Sequence, residues 1–223
     1  ARRARDHPQR VEDLTTALTH GWRLFKWGRT LARHGALKGI EDDPLTPPQV
    51  RRYIRFIRIG ARIPPTPDYA AALQEIGPAA IKLGQTLSTR PDLVGAEAAA
   101  NLSQLQDNLP PAPFAAIRKV IVASFGAPLE QHYQSFDEVP IGAASIAQVH
   151  KAVTSEGRVV AVKVLRPGIE EEIGQAIETY EWAAAHAEAM GGEMERLRPR
   201  LAVAQFKQWT ARGLDLQREA ASA

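Results

Sequence analysis

The sequence predicts an α+β chain, a short antiparallel β-sheet with a helix, preceded by a largely helical region. Three observations predict it. Between Val139 and Leu165, short β-rich runs flank Thr154-Ser155-Glu156-Gly157-Arg158, a composition suited to a hairpin turn. From Tyr69 to about Gly126 the chain reads as mostly helical, broken at Gly77-Pro78, Arg90-Pro91 and Pro110-Pro111-Ala112-Pro113. Beyond Arg166-Pro167-Gly168 it turns helical again, from about Glu170 to Met190 and, after Gly191-Gly192, from about Arg200 to the end.

The N-terminal elements come first in order. Residues 12–37 read as a helix with Leu14, Leu18, Trp22 and Phe25 near one side. Residues 48–62 read as a second helix, started by Pro47-Pro48, since proline suits a first helical turn. At 100° per residue Arg51, Arg55, Arg58 and Arg62 fall within about 60° of one another, while Tyr53, Ile54, Phe56 and Ile57 take much of the remaining surface. Such a stripe suits either an anionic membrane surface or the solvated face of a packed helix. The charge is local: residues 1–62 hold 14 Lys and Arg against 6 Asp and Glu, whereas the whole chain carries only +3. Pro64-Pro65-Thr66-Pro67 is a stiff linker, because proline fixes φ and blocks helix continuation. The expected organisation is a basic helical region with its linker over residues 1–67, a helical region over 68–135 and a sheet-bearing region over 136–223.

Composition removes several classes. An apolar content of 44% can fill a core, and the absence of cysteine excludes disulfides and thiolate metal sites. No apolar run reaches the roughly 18 residues of a membrane span, and Ala1-Arg2-Arg3-Ala4-Arg5 is not followed by the apolar segment of a secretory leader. The six histidines do not cluster at metal-ligand spacings. Nucleic acid is a poor fit as a partner, because the basic region lacks interleaved stacking aromatics and no known module appears.

Pro140-Ile141-Gly142-Ala143-Ala144-Ser145-Ile146-Ala147-Gln148-Val149-His150 reads as a strand, a tight loop and a second strand. Val160-Ala161-Val162-Lys163-Val164 follows as a third strand. That order is the arrangement of a kinase-like N-lobe. The first loop covers nucleotide phosphates, the strand lysine reaches them, and a glutamate on a following helix holds the lysine. Here the lysine is Lys163 and the best glutamate is Glu219. Val-Ala-Val-Lys alone would equally suit an edge strand ending in a solvated lysine. The loop reads Gly142-Ala143-Ala144-Ser145 rather than Gly-x-Gly-x-x-Gly, and alanine Cβ atoms obstruct the close backbone approach that glycine permits. Upstream, Pro78 suits a helix start, Lys82 and Gln85 share one face of that helix, Ala80, Leu83 and Leu87 form another, and Gly84 leaves room for close approach of a second element.

Lys82-Leu83-Gly84-Gln85, with Ile76-Gly77-Pro78 before it and Ser88-Thr89-Arg90-Pro91-Asp92-Leu93 after it, resembles the K-x-G-Q element of the UbiB/AarF family of atypical kinase-like proteins. The alanine-rich loop and the Lys163 strand are similar to the same family, and the resemblance covers about residues 69 to 223. It implies ATP or ADP with Mg²⁺ as ligands, with Gly142, Ala143, Ala144 and Ser145 over the nucleotide, Lys163 on the phosphates and Glu219 orienting Lys163. It implies that Lys82, Gly84 and Gln85 line a regulatory cleft with Asp215. It further implies support of ubiquinone biosynthesis at the cytoplasmic face of an inner membrane. Anionic lipid, prenylated quinone precursors and other enzymes of that biosynthesis would be the partners.

Two departures bear on these expectations. An E-x-D motif common in the family reads Gly213-Leu214-Asp215 here, so the aspartate is kept and the glutamate is not. No catalytic Asp, Asn or Asp-Phe-Gly-like motif follows Glu219, so residues 136–223 read as an N-lobe without its C-lobe. The expectation is that this chain alone does not turn over ATP and that any metal ligands lie elsewhere. The competing reading is a non-enzymatic lipid-binding scaffold or chaperone that nucleotide only switches.

Overall fold

The computed structural model describes residues 6–44, 46–105, 109–196 and 198–217. The chain opens with a long helix α1 (Asp6–Arg33), a single turn-and-a-half α2 (Lys38–Asp42) and α3 (Pro48–Ile57). α3 buries Ile54 and Ile57 against the rest of the fold. The helix expected over 48–62 ends at Ile57, so Arg62 lies beyond it, and the other three arginines of the expected stripe make contacts within the fold. Arg51 donates to the carbonyls of Asp43, Pro44 and Thr46, and Arg55 and Arg58 both pair with Glu41, a carboxylate only 9% exposed. α2 was not expected from the sequence; it exists as the platform that presents Glu41 to these arginines. The Leu14 side chain lies outside the described ones.

The helical region follows as α4 (Tyr69–Ile76), α5 (Pro78–Ser88), α6 (Pro91–Val94), α7 (Ala96–Leu102) and α8 (Phe114–Phe125). Each expected proline break separates two of them. Asp68 caps α4 by accepting from the Ala71 amide at 3.0 Å. The α4 start is tied to α7 by the Ala70 amide donating to Asn101 Oδ1 at 2.9 Å. α1 is clamped to α4 where Arg33 and His34 meet Glu75. The His34 hydrogen bond, reinforced by Arg33, holds the Glu75 carboxyl below its usual range.

A four-stranded antiparallel sheet comes next, β1 (Tyr133–Phe136), β2 (Gly142–Ala143), β3 (Ala147–Thr154) and β4 (Val159–Leu165). β3 is its centre. One edge pairs β2 near its start and β1 near its end, and the other edge pairs β4 along its whole length. The β3–β4 turn closes with the Thr154 amide on the Arg158 carbonyl at 2.9 Å, and Gly157 takes the φ of +84° that this turn needs. Along β4 the exposure alternates, with Val164 buried and Lys163 exposed. α8 covers the inner face, where Ile117, Ile121, Leu129 and Val164 form one core.

After the sheet come α9 (Ile169–Ala189), α10 (Glu193–Arg196) and α11 (Pro199–Leu214). Ile146 and Ala147 at the start of β3 join Ile169, Ile173, Ile177 and Phe206 in the largest core, to which α5 adds Ala79 and Leu83. Tyr180 lies in it between Trp27 and Phe206, and burial pushes its phenol up to about 12. The chain is thus α+β, a small antiparallel sheet of kinase-like N-lobe type preceded by a helical extension. One expectation is corrected here. The last helix does not run on from Arg200 unbroken but ends at Leu214, where Asp215 leaves helical geometry at φ −83°, ψ 84°. Gly213 therefore sits in a last turn, where its helix cost is smaller than in an interior. No described helix is long and apolar enough to cross a membrane.

Candidate functional site

The strand register builds the site. Gly142 pairs with Val149, and Val149 pairs with Lys163, so the three form one row across β2, β3 and β4. Directly opposed residues present their side chains on the same face. Lys163 and Gly142 are exposed, and Val149 is half-buried, so this row lies on the face that α8 does not cover. Exposed Ala161 adds a small apolar surface one register step from Lys163.

Lys163 also lines an open groove of about 1100 Å³ beside β4. α8 supplies one wall through Val120, Ser124 and Phe125, and the end of α11 supplies another through Ala211, Leu214 and Asp215. Lys163, assigned from the sequence to the nucleotide, and Asp215, assigned to the regulatory cleft with Lys82 and Gln85, thus line one groove. Glu170, from the first turn of α9, lines it too and was not singled out in the sequence. Its signal was only a run of acidic residues at a helix start. Glu219 lies outside the described residues.

The Gly142–Ser145 loop does not line that groove. Ser145 is 1% exposed, and Ile146 is anchored in the main core. The loop closes on itself, with the Ala144 amide donating to the Ala147 carbonyl at 2.8 Å. Arg166 pins it from outside. Its Nε donates to the Ala144 carbonyl at 2.8 Å, and its Nη2 donates to the Pro110 carbonyl at 3.0 Å. Burial pulls the Arg166 guanidinium below its usual value. One side chain thus links the loop to the segment leading into α8. Sequence reading saw Arg166 only as part of a turn.

A second pair missed in the sequence stands behind the row. Gln148 and His150 flank Val149 on β3, point inward and are 1% and 0% exposed. The Ala112 amide donates to Gln148 Oε1 at 2.9 Å, and Gln148 Nε2 donates to His150 Nε2 at 2.8 Å. His150 Nδ1 then donates to the Asp137 carbonyl at 2.7 Å. This assignment gives every group a partner, as burial requires.

On α5 the apolar surface has two sides rather than one. Leu83 and Ala79 face the main core, while Ile81 and Leu87 face a second core with Leu102 and Leu105. Gly84 is where that second core comes closest: a Cβ there would lie 2.4 Å from Leu105 Cδ1 and 2.5 Å from Leu73 Cδ1. Lys82 and Gln85 are half-buried on the same helix and do not line the Lys163 groove. Gly213 approaches the loop instead, with its Cβ position 4.0 Å from Ile146 Cδ1.

A model of the ABC1 atypical kinase-like domain matches residues 104–223. The probable protein kinase UbiB of Marinobacter nauticus is 45% identical over 152 residues, covering 68% of this chain and 28% of that relative. A solved Rv3197–erythromycin complex from Mycobacterium tuberculosis is 30% identical, covering 65% of this chain and 36% of that one, with a TM-score of 0.36. The chain thus spans 28% of the length of this curated relative.

Proposed function

The chain belongs to the ABC1 atypical kinase-like family, and on that premise we propose that it supplies the nucleotide-binding part of a UbiB-like, ATP-using protein that supports ubiquinone biosynthesis. The observation that carries this reading is the Gly142–Val149–Lys163 row on the uncovered face of the sheet. Val149 and Ala161 offer a small apolar surface to a flat base, and Lys163 offers a cation to the phosphates of ATP or ADP. Glu219 is the carboxylate assigned to orient Lys163, and Lys82 and Gln85 on α5 are assigned to gate access. Among the described residues no three metal-ligating side chains gather, so no ligand to Mg²⁺ is assigned and no step runs through it.

ADP binding measured by calorimetry tests the reading. Lys163→Ala will weaken it about tenfold to a hundredfold, the loss of one charge-assisted contact of roughly 1.5–3 kcal/mol. Lys119→Ala, on the exposed side of α8, will leave it unchanged. Equal binding by the wild type and Lys163→Ala would remove Lys163 from the site.

An exposed apolar strip favours contact with an anionic membrane surface, and hence a peripheral place at the cytoplasmic face of an inner membrane. Leu18, Trp22, Phe56 and Ile59 are 69%, 63%, 59% and 68% exposed. Trp22 stacks on Phe25 at 5.5 Å, and Phe25 reaches Phe56 at 6.2 Å. The strip belongs to the part of the chain with excess positive charge, the combination that holds interfacial helices to anionic lipid. A prenylated quinone precursor is the client assigned, with enzymes of the same biosynthesis as partners. Vesicles of phosphatidylglycerol will co-sediment the chain, and the double change Phe56→Ser and Ile59→Ser will remove most of that binding. If the binding survives the double change, or is equal on neutral phosphatidylcholine, the strip is not the contact. Retention in Lys163→Ala with nucleotide absent would favour the scaffold reading over the ATP-using one.

A further inference from the structure

A cavity of about 570 Å³ opens between α1, the α4–α5 junction and α9, sharing no lining residue with the Lys163 groove. Its volume lies in the range of small-molecule pockets, roughly 300–1000 Å³. Trp22, Trp27, Leu18 and Ile76 form its apolar walls. Both indoles are held in place: Trp22 stacks on Phe25 with 19° between the rings, and Trp27 packs on Tyr180 at 5.3 Å. Small residues Ala79, Ala80 and Ala176 leave the floor low.

The polar groups at the cavity are biased toward one charge. Arg23 lines it with a fixed guanidinium. Its Nη1 donates to the Gln175 carbonyl at 2.7 Å and to Thr179 Oγ1 at 2.9 Å, and its Nη2 donates to Gln175 Oε1 at 2.9 Å. Those bonds use three of the five N–H groups of an arginine. Lys26, exposed at the edge, adds a second cation. Among the described lining residues Glu172 is the one carboxylate, and it is drawn to the α4–α5 junction, while the neighbouring Glu171 accepts from Gln175 Nε2 at 3.1 Å. Gly77 holds φ +125° there, and a Cβ at that position would stand 3.0 Å from Glu172 Oε1. Two cations beside aromatic walls, with the lining carboxylate set against a glycine, favour a flat apolar body ending in a negative group.

We infer that this cavity binds a small aromatic carboxylate, its ring between the indole walls and its carboxylate toward Lys26 and Arg23. The probe is 2-naphthoate titrated into the full chain, read by the indole N–H signals in a ¹H–¹⁵N spectrum. Trp22 and Trp27 will shift saturably, while Trp209, 47% exposed on α11, will not move. Lys26→Glu, at an exposed position that leaves the fold intact, will weaken binding at least tenfold, and the uncharged methyl ester will bind the wild type as weakly. Thr19→Trp, built from an exposed lining position, will fill the opening and abolish the shifts. ADP will not displace the probe. The inference is overturned if Trp209 shifts with the same concentration dependence as Trp22 and Trp27. It is also overturned if the acid binds Lys26→Glu as tightly as the wild type, or if ADP competes, which would place the probe in the Lys163 groove.

Discussion

His150→Ala will destabilise the fold by about 4 kcal/mol in urea denaturation, the largest effect expected of a single change outside the apolar core. The ring is fully buried and packs against Phe136 at 5.2 Å and Phe114 at 5.9 Å. Truncating an aromatic of that size in a close-packed interior costs about 3–5 kcal/mol through lost contacts and the residual cavity. The change also takes the partner from the Asp137 carbonyl and from the buried Gln148 amide, and leaving the buried amide unsatisfied adds about 1–3 kcal/mol before local relaxation. His150→Phe separates the two contributions. It restores an aromatic ring, somewhat larger than imidazole, and loses the hydrogen bonds, so it will cost about 2 kcal/mol. Should His150→Phe prove as damaging as His150→Ala, the polar chain, and not packing, carries the stability. Gln148→Leu will couple strongly to either change, because both residues belong to one chain of bonds ending on the Ala112 amide.

The function rests on that buried chain through register. In a strand the side-chain period is two, so committing Gln148 and His150 to the interior commits Val149 to the open face opposite Lys163. A slip of one residue would expose the polar pair and bury Val149 among groups that need hydrogen bonds. Two inward polar residues thus place the row that the proposed nucleotide would meet.

How much of this was legible in the sequence follows the same division between local and tertiary signals. The turn at Thr154–Arg158, the strands around Val149 and Lys163, and the proline-marked helix ends are local, and they stand where the sequence put them. β1 was not expected, because Tyr133–Phe136 is four residues long, has Gln134 and Ser135 at its centre, and pairs only through an irregular register. α2 exists for Glu41 and its two arginines, a contact between segments. The end of α11 at Leu214 had no proline to mark it. The roles of Arg166, Gln148 and Glu170 appear only when the sheet, α8 and α9 are brought together. Polar residues inside a fold carry no periodic signature, so composition and spacing cannot distinguish them from solvated ones.

Gly84 shows how a motif residue can be argued either way until packing is measured. If it were kept only to leave a surface open, replacing it by alanine would stabilise α5, since glycine in a helix interior costs about 1 kcal/mol relative to alanine. The structure predicts the opposite sign. A Cβ would stand 2.4 Å from Leu105 Cδ1, 2.5 Å from Leu73 Cδ1 and 3.4 Å from Leu102 Cδ2. Leu102 and Leu105 are themselves buried, with Ile81 beside them, so neither leucine can swing aside into solvent. Overpacking of this kind costs about 1–3 kcal/mol, which exceeds the propensity gain. Gly84→Ala will therefore lower stability by about 1 kcal/mol, and Gly84→Val, with two more methyl groups and a branched Cβ, by about 3 kcal/mol. A shift of the urea midpoint upward in Gly84→Ala would overturn the packing argument. The consequence reaches the site through α5. Its opposite side, Ala79 and Leu83, is fixed to the main core with Ile146 of the loop, so a helix pushed from the Leu105 side must tilt about that contact. The tilt moves Lys82 and Gln85, whose positions on α5 Gly84 sets by allowing α4 and α7 to close on the helix.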